Sequence, residues 1–172
     1  RFHYYDCGNP KITGLSIYIF KELGVESLIV TNSAGAVNKS FKVGDLVIIN
    51  DQINFTGQNP LVGGALIDYG MQFPDMTQPY DYEYITKFKQ IAKQNKIKVR
   101  EGVYMQNSGP TYETKAEVHV LIIISNKTGR CFFIVQLYTC FHFITMVTGA
   151  EQQWRAFLWT VSFPFNDDGI IC

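Results

Sequence analysis

The chain has 172 residues, 47% of them apolar and 17% charged, a composition typical of one globular domain with a hydrophobic core. Because 15 Lys and Arg balance 15 Asp and Glu, no net charge favours binding to nucleic acid. The four cysteines lack CxxC or zinc-ligand spacing, which favours buried or free thiols in a reducing, cytoplasmic compartment over disulfides or a metal site.

The first fifty residues are predicted to form one helix and two strands. A helix over 10–23 is indicated by apolar residues at spacings of three and four: Ile12, Leu15, Ile19 and Leu23. Apolar runs at 27–30 and 46–49 predict short buried strands. The small and polar residues 31–36 are interpreted as the turn that follows the first strand.

The middle of the chain continues the same alternation. Residues 51–81 are rich in Gly, Pro, Asn and Gln and predict a long loop, which is usually functional or disordered. A helix is predicted over 84–92 and a strand over 99–105. Strands separated by helices predict a single α/β domain with a mixed, largely parallel sheet. In such sheets ligands bind at the loops after the strand ends.

Residues 121–172 differ from the rest, with few charges and many aromatic residues. Residues 131–150 carry no formal charge and are long enough for a membrane span, although polar residues interrupt them. A buried segment and a sequence not shaped by this fold, such as a shifted reading frame, are the alternatives, and we favour the last. We therefore divide the chain into a partial α/β domain, 1–120, and a divergent apolar tail of unknown structure, 121–172.

Four polar segments point to a function. They read RFHYY at 1–5, TNSAGA at 31–36, NFTGQNPLVG at 54–63 and GPTYET at 109–114. In this order and spacing, residues 1 to about 118 resemble the trimeric type of purine nucleoside phosphorylase. That family splits a nucleoside with phosphate into a free purine and pentose 1-phosphate. The resemblance implies a nucleoside phosphorylase-like domain that is truncated at the N-terminus.

The resemblance implies a phosphate site made by Arg1, His3 and the backbone amide of Ser33. A guanidinium presents planar, paired N–H donors that match phosphate oxygens, and successive backbone N–H groups in a tight turn form an anion-binding site. The alternatives are a solvated terminal Arg1, a polar core His3 and an ordinary turn. Phosphate would be a co-substrate, and the chemistry requires no metal or organic cofactor.

The resemblance also implies a nucleoside site. Tyr5 would contact ribose, and Ala34 and Gly35 would pass beside the base. Phe73 would reach the ribose pocket of a neighbouring subunit, which implies a homotrimer. For Tyr5 the alternative is a half-buried packing residue, and for Phe73 it is a core residue, which the sequence alone favours.

Base recognition is assigned to Glu113, whose carboxylate would accept the N1–H of a 6-oxopurine, with Tyr112 stacking on the ring. The alternative for Glu113 is a charge at a helix N-terminus. Arg1, His3 and Glu113 are thus the candidate catalytic residues.

Several family contacts are missing from the sequence, so we expect this chain to be inactive or weakly active. They are a glycine-rich phosphate loop before Arg1, and a later Met-Ser-Thr segment and an asparagine donor to purine N7. Two other functions stay open: a catalytically dead nucleoside-binding or assembly subunit, and a phosphorylase of the methylthioadenosine type.

Overall fold

The computed structural model describes residues 4–64, 73–128, 132–135, 142–143 and 156–164. In chain order its helices and strands are α1 Tyr4–Cys7, α2 Pro10–Thr13, α3 Leu15–Glu22, β1 Leu28–Ala36, β2 Leu46–Asn54, α4 Tyr82–Gln94, β3 Val99–Gln106, α5 Lys115–Thr128, β4 Phe132–Val135, β5 His142–Phe143 and β6 Ala156–Pro164.

The described strands form one mixed sheet in the order β4-β3-β2-β6-β1-β5. Because β4 also pairs with β1, five of these strands make a closed ring. The two longest pairings, β1 with β6 and β2 with β3, are both parallel, and the shorter pairings of β1 with β4 and of β2 with β6 are antiparallel. The prediction of an α/β fold with a mixed, largely parallel sheet is confirmed.

The core is centred on β2. Val47, Ile48 and Ile49 are fully buried, and Ile85 of α4 packs in the same cluster. A second cluster joins Met105 of β3 to Leu121 of α5. After Ile49 the burial pattern of β2 changes to alternating exposed and half-buried residues, so only its first half reads as a continuous apolar run.

The predicted helix over 10–23 is two helices, α2 and α3, with Gly14 between them. Asn9 caps α2, since its side-chain oxygen accepts from the backbone amide of Lys11 at 2.9 Å. The predicted apolar residues are not buried in the part of the chain that the structure describes: Ile12, Leu15, Ile19 and Leu23 are 39–64% exposed.

Strand ends also differ from the predictions. Residues 31–36 are not a turn, because β1 continues through them in parallel register with β6 as far as Ala36. Similarly, β2 extends to Asn54, into the predicted loop. Helix α5, Lys115–Thr128, was not predicted from the sequence. It crosses residue 120, where we divide the chain into domain and tail, and that boundary stays a prediction.

Within the described residues no helix is long and apolar enough to cross a membrane. Most of residues 131–150 lies outside the described part of the chain, and so do the predictions made for that segment, a membrane span, a buried segment or a sequence not shaped by this fold.

Asp81 is the N-cap of α4, and its replacement tests the local stability of the domain. Its side-chain oxygen accepts from the amides of Glu83 at 2.8 Å and Tyr84 at 3.2 Å. We expect Asp81→Ala to lower the free energy of unfolding by about 1 kcal/mol in urea titrations, since two helix amides lose their acceptor. The exposed mid-helix substitution Gln90→Ala is the control, with a change within about 0.5 kcal/mol. Equal effects of the two substitutions would contradict this role.

Candidate functional site

The candidate site begins where β2 and β3 end. These parallel strands pair up to Asn54 and Gln106, and the amide of Phe55 donates to the carbonyl of Gln106 at 3.0 Å. The segments 54–63 and 107–114 therefore leave the sheet side by side at its carboxyl edge, the position where α/β proteins bind ligands.

The first of these segments is held by its own polar groups. Asn54 Oδ1 accepts from Thr56 N at 3.1 Å and Thr56 Oγ1 at 2.6 Å, while Asn54 Nδ2 donates to the carbonyl of Gln58 at 2.6 Å. The amide of Gln58 in turn donates to Thr56 Oγ1 at 3.0 Å. Such Asx turns fix a loop locally without help from a distant partner.

The polar half of β1 lies near the same edge. Gly35 of β1 and Met105 of β3 are both register partners of Ile134 in β4, so the two strands are two spacings apart, roughly 10 Å. A buried hydrogen bond joins the same strands, with Asn32 Nδ2 donating to the hydroxyl of Tyr104 at 3.1 Å. The structure thus brings the predicted base-contacting residues Ala34 and Gly35, both buried, close to the end of β3.

One side of β1 changes partner strands at this point. Among the described residues, registered pairs with β5 end at Thr31, and pairs with β4 begin at Gly35. The backbone of Ser33 lies between them, and on its other side it is in register with Val161 of β6. The assignment of the Ser33 amide to phosphate stays a prediction.

Two buried tyrosines add polar groups that sequence reasoning did not single out. The hydroxyl of Tyr80 and Gln52 Oε1 are 2.7 Å apart, and Tyr104 binds Asn32. Burial is the main cause that raises the pKa of both tyrosines above the usual range, helped by the charge of Asp51 at Tyr80. Both hydroxyls are therefore neutral, buried hydrogen-bonding groups at physiological pH.

Among the described residues, one carboxylate oxygen of Glu113 accepts a hydrogen bond and the other is buried without a partner. Asn107 Nδ2 donates to Glu113 Oε1 at 2.6 Å. Glu113 Oε2 is buried, and none of the described residues donates a hydrogen bond to it. A buried acceptor left without a donor costs about 1–3 kcal/mol, so a ligand that brings a donor to Oε2 would recover that cost. Sequence reasoning missed Asn107, although its position directly after a strand was a usable signal.

The start of α5 shows that another residue caps this helix. Thr114 and Glu117 form a reciprocal capping box: the Thr114 amide donates to Glu117 Oε2 at 2.6 Å, and the Glu117 amide donates to Thr114 Oγ1 at 3.2 Å. Glu117 is therefore the capping carboxylate, and Glu113 is directed back toward Asn107 at the end of β3.

The remaining predicted residues lie elsewhere or outside the description. Tyr112 is 54% exposed beside Glu113, and Tyr5 is half-buried in α1. Phe73 is 87% exposed, so its interpretation as a core residue was wrong. Arg1 and His3 lie outside the described residues. The roles assigned to all five stay predictions.

No group of three or more His, Cys, Asp or Glu in the described ranges is arranged to hold a metal ion.

Sequence comparison identifies known proteins that are similar to this chain. The chain is 47% identical over 121 residues to purine nucleoside phosphorylase 1 of Bacillus subtilis, which covers 70% of this chain and 45% of that protein. It is 41% identical over 128 residues to purine nucleoside phosphorylase of Mus musculus, covering 70% of this chain and 44% of that protein. The chain thus spans less than half the length of these curated relatives.

A solved structure extends the likeness to the fold. Purine nucleoside phosphorylase of Schistosoma mansoni, in a complex with BCX-34, matches with a TM-score of 0.76 and 30% sequence identity. The match covers 95% of this chain and 60% of that chain. The family model described as the phosphorylase superfamily matches residues 6–128, and the chain therefore belongs to this superfamily.

Proposed function

We propose that this chain derives from an enzyme that carries out phosphorolysis of 6-oxopurine ribonucleosides or deoxyribonucleosides, a purine-nucleoside phosphorylase and hence a pentosyltransferase. The observation that carries this proposal is Glu113 Oε2 at the carboxyl edge of the sheet, which is buried and has no hydrogen-bond partner among the residues that the structure describes. Relatives named purine nucleoside phosphorylase, at up to 47% identity, support the same reaction.

The chemistry of the base fits a single buried acceptor. A 6-oxopurine carries a hydrogen on N1, which can donate to Glu113 Oε2, whereas adenine has no hydrogen there. A site built around a buried acceptor discriminates strongly against a base that lacks the donor, because the acceptor is then left unpaired. The exposed ring of Tyr112 beside Glu113 is available to stack on the purine.

The sugar and phosphate would be bound on the β1 side of the site. We assign phosphate to the Ser33 amide, Arg1 and His3, where its negative charge would stabilise an oxocarbenium-like sugar as the glycosidic bond breaks. Phosphate is then a co-substrate, and no step needs a metal or organic cofactor. The structure of isoform 2 of purine nucleoside phosphorylase from Schistosoma mansoni, in complex with cytosine and ribose-1-phosphate, supports the binding of a sugar phosphate in this fold.

Assembly and location belong to the same proposal. Phe73, 87% exposed, is available to enter the ribose pocket of a second copy, which supports a homotrimer. Tyr5 would contact ribose in its own subunit. We place the enzyme in the cytoplasm, with purine nucleosides and phosphate as its partners and no role for nucleic acid or membrane.

We expect the activity of this chain to be weak. We propose that residues 121–172 are a divergent tail, and the match to the family model, which covers residues 6–128, extends only eight residues into it. The predicted donor to purine N7 is missing from that tail, and loss of one such donor lowers kcat by roughly 10²–10³.

Replacing Glu113 tests the assignment of the base site. Glu113→Gln removes the charge of the acceptor, and we expect kcat/KM for inosine to fall by about ten- to a hundredfold. Glu101→Gln is the matched control, because Glu101 pairs with Lys89 at 2.7 Å on the surface of β3. Unchanged kcat/KM for inosine in Glu113→Gln would remove Glu113 from base recognition.

Product assays separate the proposed reaction from its alternatives. Incubation with inosine should release hypoxanthine only when phosphate is present, and faster than 5′-methylthioadenosine releases adenine. Preference for methylthioadenosine would favour the other phosphorylase type. Inosine binding in calorimetry without any phosphorolysis would instead favour a catalytically dead nucleoside-binding subunit.

A further inference from the structure

Asn107 and Glu113 are six residues apart, and both are anchored by neighbouring secondary structure. Asn107 follows directly after β3, and Glu113 precedes the capped first turn of α5. Between them the chain turns at Gly109, whose φ of 55° lies in the left-handed region that favours glycine. The contact between Asn107 Nδ2 and Glu113 Oε1, at 2.6 Å, therefore closes a loop whose two ends are fixed.

This contact makes the two oxygens of Glu113 different. Oε1 already accepts from a neutral amide, whereas Oε2 is buried and accepts from no group within the described ranges of the chain. The terminal torsion of a glutamate has a broad distribution, so a carboxylate without such a contact would not be held in one orientation. A hydrogen bond to a charged group is among the stronger ones in proteins and is able to hold that torsion.

We propose that Asn107 is a positioning residue for purine recognition: its side-chain amide holds Glu113 Oε1 and so presents Oε2 to the N1–H of the bound base. This inference rests on the proposed function and goes beyond it by assigning base selectivity to a pair of residues. Asn107 acts through Glu113 and need not touch the base. Its loss should weaken the discrimination between bases more than it weakens binding in general.

The experiment is calorimetric titration of the full 172-residue chain with hypoxanthine and with adenine. We expect the unmodified chain to bind hypoxanthine at least about tenfold more tightly, because adenine leaves Oε2 unpaired. Asn107→Leu has a similar size and no donor, and should weaken hypoxanthine binding by about tenfold or more while adenine binding changes little. Asn107→Asp keeps the shape but places a like charge beside Glu113, and should lower the selectivity further.

Asn95→Leu is the matched control, because Asn95 Nδ2 donates to the carbonyl of Ile91 at 2.8 Å at the exposed end of α4. It should leave the ratio of the two affinities unchanged. Undiminished selectivity in both Asn107 variants would overturn the inference and leave the proposed function standing. An equal loss of affinity for both bases would also overturn it, since that result indicates a structural role. An unmodified chain without preference for hypoxanthine would contradict the proposed function itself, and the inference with it.

Discussion

The parallel pairing of β2 with β3 is the constraint on which the candidate site depends. The apolar first half of β2, Val47 to Ile49, is fully buried and holds the strand pair in the core. The register then puts Asn54 opposite Gln106, so the loops that follow both strands start at the same edge. A shift of one residue in this register would turn the side chains of one strand to the opposite face of the sheet. It would also displace the start of the loop after β3, which carries Asn107 and Glu113, relative to the loop after β2.

Local patterns predicted the central elements and missed what depends on distant partners. Strands β2 and β3 were identified from their apolar runs, and α4 from its helical periodicity, because these local patterns match the observed burial. Residues 31–36 were interpreted as a turn because small and polar residues are common in turns. They are strand because β6, more than a hundred residues later in the chain, pairs with them. No short window of sequence contains that information.

In the candidate site, too, motifs were predictable from the sequence and contacts between side chains were not. Glu113 was identified through the resemblance, and its role in base recognition stays a proposal; in the described part of the chain its Oε2 is buried with no hydrogen-bond donor. Asn107 and the pair Asn32–Tyr104 were missed, since each is defined by a contact rather than by a motif. An asparagine placed directly after a predicted strand, in a loop known to carry a candidate carboxylate, was the available signal. The exposure of Phe73 was unpredictable from Gln-Phe-Pro alone, because whether a ring is covered depends on tertiary packing.

The capping box at Thr114 and Glu117 separates two tasks that one carboxylate often performs together. Glu117 completes the hydrogen bonding of the first turn of α5, so the helix does not need the charge of Glu113 in order to begin. A substitution at position 113 therefore leaves the capping box of α5 in place. Under the proposed role of Glu113, substitutions in this loop can change the preferred base while the capping of α5 stays intact.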